Sequence, residues 1–402
     1  MRATGIICEY NPLHQGHIRQ LTAARQDTSA DVVICVMSEH LTQRGELAVA
    51  DPYTRAAAAI SCGADLVIGL PFPYSASPAE FFARAAIRIL NAMGASALHF
   101  GSESSLEILT SAVDILSSAD FSRALVRRQR THPEEGVMSA RETVFSELAQ
   151  RPLPGGSNDL LATAYLEAIR ALHSPLRPFR IRREGQGYRD DTAPSSAAPA
   201  SAAALRHLWE KDGLPAIRPY LPADSYHILE EATRRGIAPL RVNDALNGAL
   251  LWYYRTVSPQ ALSSCAGMEG GLGNRLIRSA KESGTLAEMA ERATTKHYTA
   301  SRVRRAVWMG ACQVKPEDLN TPPAYVRLLA ANPTGQQYLA QLRRTCPLPI
   351  LTKPSRLPPD ALSSRQAITE ARLEALLSLA YPSDARQATR YKRCRPWFPA
   401  SR

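Results

Sequence analysis

Four short apolar runs near the N-terminus constrain this chain more than anything else in it: Ala3 to Cys8, Val32 to Met37, Leu66 to Leu70 and Ala97 to Phe100. Between them lie helix-length segments, Gly16 to Ala24, Pro52 to Cys62 and Ala79 to Met93. Strands that alternate with helices pair in parallel, and the helices cover both faces of the sheet. The order therefore predicts an α/β fold, a Rossmann-like doubly wound parallel sheet. Ligands of such sheets bind outside the carboxyl ends of the strands. That directs attention to Glu9 to His17, Ser38 to Gly45, Pro71 to Ser77 and Gly101 to Glu103.

Further along, Ser157 to Ala171 reads as helix and Phe179 to Arg183 as a last strand, leading into Gly185-Gln186-Gly187-Tyr188. Ala193 to Ala204 is biased toward Ala, Ser and Pro, as a flexible linker would be. Ser201 is nonetheless placed to cap a helix that contains Arg206. From about Trp209 helical spacing dominates and strands are scarce. The expected division is a sheet domain over 1–207 and a mostly α-helical C-terminal domain over 208–402.

Charge divides the chain in the same way. The 402 residues carry a net charge of +11, yet the first 120 hold seven arginines, no lysine and twelve acids. The positive field thus belongs to the second part and favours a polyanionic partner. Six of the 48 basic residues are lysine. Arginine suits phosphate because its fork donates two parallel hydrogen bonds, but a GC-rich genome would give the same bias. Seven scattered cysteines without a C-x-x-C pair argue against a disulfide framework and a zinc knuckle, and point to a reduced, cytoplasmic setting. The N-terminus meets Glu9 before a secretory core can form, and no apolar stretch is long enough to span a bilayer, so no membrane partner is expected.

His14-Gln15-Gly16-His17 follows the first strand and opens a helix, where unpaired N–H groups and the helix dipole favour an anion. Imidazoles three residues apart share one helix face, and the glycine between them lets a nucleobase or phosphate come close. This is an arrangement for holding a triphosphate. The alternatives are a surface pair without a ligand, or a metal site short of its third ligand; the sequence names no metal-ligating set.

Gly5-Ile6-Ile7-Cys8-Glu9-Tyr10-Asn11-Pro12-Leu13-His14-Gln15-Gly16-His17 resembles the opening of the bacterial tRNA(Met) cytidine acetate ligase family, part of the H-x-G-H nucleotidyltransferase superfamily. Ser38 with Gln43-Arg44-Gly45-Glu46, Gly63-Ala64-Asp65-Leu66, Leu70-Pro71, Phe100-Gly101-Ser102-Glu103 and Ser157-Asn158-Asp159 recur in family order. Arg183 with Gly185, Gly187 and Tyr188, Ser201-Ala202 with Arg206, Glu269-Gly270 with Asn274-Arg275, and Thr295-Lys296 with Tyr298-Thr299 continue the series.

The resemblance implies an enzyme that activates acetate with ATP to acetyl-adenylate and passes the acetyl group to the wobble cytidine of elongator tRNA(Met), forming N4-acetylcytidine. It implies a nucleotidyltransferase-like ATP-binding catalytic domain over 1–207 and a basic tRNA-binding domain over 208–402. By the same analogy the ATP site takes Ile7, Cys8, Glu9, Tyr10, Asn11, Pro12, Leu13, His14, Gln15, Gly16, His17, Ile18, Arg19 and Gln20, with Gly101, Asn158, Arg183 and Ser201. His14, His17 and Arg206 are the expected catalytic groups, steadying charge on the phosphates, and Mg²⁺ would travel with the triphosphate. Each has a plainer reading. Gly101 suits an ordinary tight turn, Ser157-Asn158 and Ser201 suit helix caps, and Arg183 with Arg180 and Arg182 suits a solvated basic face.

Three departures stand out. Glu39-His40-Leu41 replaces the family's small glycine-containing run near the expected acyl pocket, where His40 is either a substitute acid or a surface residue. Gly69 stands where the family commonly has Glu, and Ser201-Ala202-Ala203-Ala204 is plainer than usual. For RNA, Lys296, Arg302, Arg304 and Arg305 are candidates, with Lys392, Arg393 and Arg395 in a tail where Tyr391, Trp397 and Phe398 offer rings for stacking. A basic tail that binds nothing specific is the alternative. Two other functions share the fold: adenylylation of a small phosphorylated precursor, and RNA binding by a catalytically degenerate protein.

Overall fold

The computed structural model describes residues 1–182, 201–353, 356–382, 386–387 and 394–399. Arg183, Lys392 and Arg393 lie outside the described residues, as do Gly185, Gly187, Tyr188 and Tyr391. Seven strands form one sheet: β1 Ala3–Cys8, β2 Val32–Ser38, β3 Leu66–Leu70, β4 Ala97–Ser102, β5 Arg177–Arg182, β6 Val326–Ala331 and β7 Ile350–Leu351, in the order β5-β4-β1-β2-β3-β6-β7. From β5 to β3 all neighbours are parallel, as the alternation predicts. The direction of winding reverses between β1 and β4, which opens a crevice beyond their carboxyl ends.

The strands read as unbroken apolar runs because helices cover both faces. Val32, Ile34 and Val36 face one side with Leu98 and Phe100, under the helices Ala79–Ala92 and Ser157–Ala171. Val33, Cys35 and Met37 face the other with Ile6 and Cys8, under the helices Gln15–Thr28 and Pro52–Ser61. Each such side chain fully withdrawn from water contributes about 1.5–3 kcal/mol.

The region after Trp209 is helical, as its spacing predicts, but it also supplies β6 and β7. β6 pairs antiparallel with β3, Leu66 opposite Ala331 and Gly69 opposite Arg327. Val326-Arg327-Leu328-Leu329-Ala330-Ala331 is itself a short apolar run ending before Asn332-Pro333, so the local signal exists. It escapes notice because it stands alone among helices and its partner is far away in sequence. Trp397 adds to the same edge, its N–H donating to Leu329 O at 2.9 Å and its carbonyl accepting from Ala331 N at 3.1 Å. The helices Asp244–Thr256, Leu272–Lys281, Leu286–Ala293 and Ala300–Ala311 build a separate core that includes Leu250, Tyr254, Leu276 and Trp308. Leu41 and Phe72, from the ends of β2 and β3, belong to that core too, so the helical part sits over the carboxyl edge of the sheet.

Candidate functional site

A cavity of about 550 Å³ opens beyond the carboxyl ends of β1 and β4. His14 caps the helix that follows β1: its Nδ1 accepts from Gly16 N at 3.1 Å, while its own N–H donates to His17 Nδ1 at 3.2 Å. Each ring therefore spends Nδ1 as an acceptor, which leaves Nε2 as the protonated nitrogen of the neutral imidazole and a donor. The rings lie 3.8 Å apart at 31°, with Tyr10 edge-on to His17. Two imidazoles this close are poor hosts for two charges. A Cβ on Gly16 would lie 2.9 Å from His14 Cε1. The first claim on that glycine is His14's own capping ring, a constraint that the sequence reading assigned to the ligand alone.

Of the expected ATP segment, Ile7, Cys8, Glu9, Tyr10, Asn11, His14, Gly16, His17, Arg19 and Gln20 line the cavity. Pro12, Leu13, Gln15 and Ile18 are not among the lining residues. Pro12 and Leu13 are buried and Gln15 faces solvent. Gly101, Asn158, Ser201 and Arg206 line it too. Gly101 lies within β4 opposite Ile181, which removes the reading of it as a tight turn. Asn158 sits in the first turn of its helix and donates through Nδ2 to Glu103 Oε1 at 2.7 Å. Glu103 also accepts from Asp159 N, and Asp159 in return accepts from Glu103 N and Ser104 N, a reciprocal clamp between β4's end and the helix.

The cavity has two characters. Phe82, Phe100, Leu161, Tyr165 and Ile181 supply apolar lining, with Phe100 and Tyr165 rings 6.0 Å apart. Arg19, Arg44, Arg182 and Arg206 supply basic lining. Ser201 caps the helix Ala202–Asp212, its Oγ accepting from Ala204 N at 3.1 Å. Arg206 donates to Asn11 O at 3.0 Å and to Glu46 Oε2 at 2.6 Å. Glu9 Oε1 accepts from Gln43 N at 2.7 Å, and burial pushes the Glu9 carboxyl above its ordinary range, against the pull of that hydrogen bond and of Arg206.

Arg55, read in the sequence as part of an alanine-rich helix, is buried and donates to the carbonyls of Glu9, Ser38, Glu39 and Ala50. It ties the ends of β1 and β2 together behind the site. Arg44, Gln43, Phe82, Glu103, Tyr165 and Arg182 also line the cavity without having been singled out as site residues. Gln43 and Arg44 belong to the recurring motif after Ser38. That motif was the available signal for them.

Glu39 and His40 are not among the residues lining this cavity. The reading of His40 as a surface residue is corrected by its burial: Glu39 and His40 are 1% and 5% exposed. They turn toward β6, where Arg327 pairs with Glu374 at 2.7 Å, with Glu370, and with Glu39 at 3.5 Å. Burial raises Glu39 to about 8 and lowers His40, so both favour their neutral forms. A Cβ on Gly69 would meet Glu39 Oε1 at 2.0 Å, so the two departures at 39 and 69 answer one another: the carboxylate fills the space beside the glycine.

On the helical side, the Gln43–Glu46 turn presses against the helix Ala300–Ala311. Gly45 has φ +75, and a Cβ there would lie 2.7 Å from Arg305 N. Trp308 Nε1 donates to Gly45 O at 2.9 Å, Arg304 to Arg44 O and Arg305 to Gln43 O. Burial and the neighbouring guanidinium groups lower Arg305 to about 10. Arg302 lies over the Tyr298 ring, and Lys296 and Arg395 are exposed. Trp397 is half-buried and packs against the core shared by Ile60, Leu329 and Ala330, whereas Phe398 is 45% exposed. Among the described residues no group of three metal-ligating side chains occurs, and no helix is long and apolar enough to cross a membrane.

Residues 1–392 match the family model described as HIGH Nucleotidyl Transferase. The tRNA(Met) cytidine acetate ligase of Latilactobacillus sakei is 34% identical over 359 residues, 88% of each chain, and that of Syntrophotalea carbinolica is 33% identical over 368 residues, 89% of this chain and 86% of the other. The crystal structure of apo Thermotoga maritima TmcAL superposes with a TM-score of 0.91 at 28% identity, covering 99% of both chains. The same protein bound with alpha-thio ATP gives 0.88 at 27% identity with the same coverage.

Proposed function

Because the chain belongs to the tRNA(Met) cytidine acetate ligases of the HIGH nucleotidyl transferase family, we propose that the cavity beyond β1 and β4 is where it activates acetate with ATP and that the arginines beside it receive tRNA. The chain is an ATP-dependent ligase. An acetate oxygen attacks the α-phosphorus of ATP, pyrophosphate leaves, and acetyl-adenylate remains. The exocyclic amine of the wobble cytidine in elongator tRNA(Met) then attacks the acetyl carbon, AMP departs with the bonding pair, and the amine loses a proton to give N4-acetylcytidine.

The observation that carries this assignment of the site is the aligned pair of imidazoles. With Nδ1 of each ring spent on the backbone, the Nε2–H groups of His14 and His17 would meet phosphate oxygens as charge grows on them, needing no reorganisation at that moment. Arg206 and the helix start at Ser201 would hold the β and γ phosphates until pyrophosphate leaves. Asn158, steadied by Glu103, and the apolar lining with Tyr165 suit the nucleoside. Arg183 is assigned to this site on the family resemblance alone. Mg²⁺ would come with the triphosphate, because Glu9, Glu46 and Glu103 are already spent on Gln43, Arg206 and the Asn158 helix; no step here passes through it.

The RNA surface would run from Arg44 across Arg304 and Arg305 to Arg302 and Lys296, with Arg395, Lys392 and Arg393 assigned on charge. Residues 1–207 would form the ATP-binding part and 208–402 the tRNA-binding part, the latter lending β6 and β7 to the sheet. A cytoplasmic location follows from the tRNA substrate. The decisive experiment incubates the full chain with ATP and labelled acetate, with and without elongator tRNA(Met). Label in acetyl-adenylate without RNA and in tRNA with it is expected. Pyrophosphate release dependent on a phosphorylated small molecule, or RNA binding without ATP turnover, would overturn the assignment.

A further inference from the structure

Glu46 stands between the two halves of the proposed reaction. Its Oε2 meets Arg206 Nη2 at 2.6 Å, and its Oε1 faces Arg304 Nη2 at 3.5 Å. Arg206 belongs to the cavity, whereas Arg304 belongs to the helix that carries the RNA-side arginines. The backbone beneath the carboxylate is fixed. Glu46 N donates to Thr42 Oγ at 3.1 Å, Glu46 O accepts from Thr42 N at 2.9 Å, and Gly45 is pinned by the Trp308 indole. What can shift is the side chain, a quarter exposed, with one carboxylate oxygen toward each guanidinium group.

We propose that Glu46 is a shared counter-ion that sets ATP against tRNA and thereby orders the two half-reactions, an inference that rests on the function proposed above. A guanidinium that binds a triphosphate gives up its carboxylate, because the carboxylate and the phosphates repel one another. Glu46 then closes on Arg304 and withdraws it from RNA phosphates. In the opposite direction, an RNA phosphate on Arg304 leaves Glu46 wholly to Arg206 and opposes the triphosphate; coupling between two binding sites is reciprocal. Loss of pyrophosphate returns Arg206 to Glu46 and releases Arg304, while acetyl-adenylate, with a single phosphate, stays. The RNA grip thus tightens once the activated acetyl group is in place.

The test is the affinity of the full chain for elongator tRNA(Met), measured without nucleotide, with saturating α,β-methylene-ATP, and with AMP as the single-phosphate control. In the wild type the ATP analogue weakens tRNA binding about 5–10-fold and AMP changes it less than about twofold. Glu46→Gln keeps the shape and removes the charge, and brings the analogue's effect below about twofold. Arg304→Gln weakens tRNA binding itself and also makes it insensitive to the analogue, which gives a second reading should the first variant not fold. An effect of undiminished size in Glu46→Gln would be direct repulsion between the ligands and would overturn the proposal. So would wild-type protein that binds both ligands independently. A wild type that binds neither overturns the function itself, a different and recognisable failure.

Discussion

Two regions of this molecule are made of the same residue types and behave in opposite ways. At the mouth of the sheet, His14, His17, Glu9 and Arg206 line a cavity, and their hydrogen bonds hold ring and carboxylate orientation at its wall. Under β6, His40, Glu39, Glu370, Glu374 and Arg327 are packed together with little exposure, and their polarity is turned on one another. An imidazole beside a carboxylate and a guanidinium is therefore not in itself a catalytic signal. Arg327, Glu370 and Glu374 border a cavity of their own, about 420 Å³, so what separates the regions is whether the charges are already matched to one another.

The internally paired cluster breaks first under mutation. Arg327→Met strands Glu370 and Glu374 without their cation, and removing one partner of a buried pair costs about 3–5 kcal/mol. Chemical denaturation should show that loss, whereas ATP affinity of the remaining folded protein stays near the wild-type value. The open cluster answers in the other currency: His17→Ala should lower acetyl-adenylate formation about 10²–10³-fold, as loss of one preorganised donor does, with little change in the denaturation midpoint. Loss of stability and of activity in equal measure would erase the distinction between the regions.

Gly16→Ala probes how His14 is held. The added methyl meets the capping ring, so adenylate formation should fall about tenfold through misplacement of the imidazole. A drop confined to nucleotide affinity, with the turnover rate intact, would instead mean that the glycine is there for the ligand. The smallest effect is a change of slope with pH. Glu39 titrates near 8 when folded against an ordinary 4.5, so the folded state holds a proton that the unfolded chain has lost. Its contribution is present in full below about 4.5 and declines as pH rises through that window to about 8. Denaturation midpoints followed across this range should decline less in Glu39→Gln than in the wild type.

The sheet was legible because β1 to β4 announce themselves locally as apolar runs, β1 closed by Asn11-Pro12 and β3 by Pro71. The cradle was legible because both histidines lie within one turn of a helix whose position the first strand dictates. Arg55 was not legible: nothing in an alanine-rich helix says that one arginine will reach the carbonyls at the ends of two strands. Nor was the direction of Glu39 and His40, which depends on Arg327 arriving from a strand almost three hundred residues later. Local pattern locates elements and caps, while the pairing of charges across them is settled by contacts between distant segments.

The edge of β3 has a consequence for how the protein is made. Its hydrogen-bonding partner is β6, so the strand cannot be covered until residue 331 has left the ribosome. A polypeptide truncated shortly before that point would carry a finished nucleotide cradle beside a bare ladder of amides and carbonyls, which is a template for pairing with other chains. Premature termination late in the message should thus yield insoluble fragments, and a synthesis pause after β6 would be tolerated where one just before it is not.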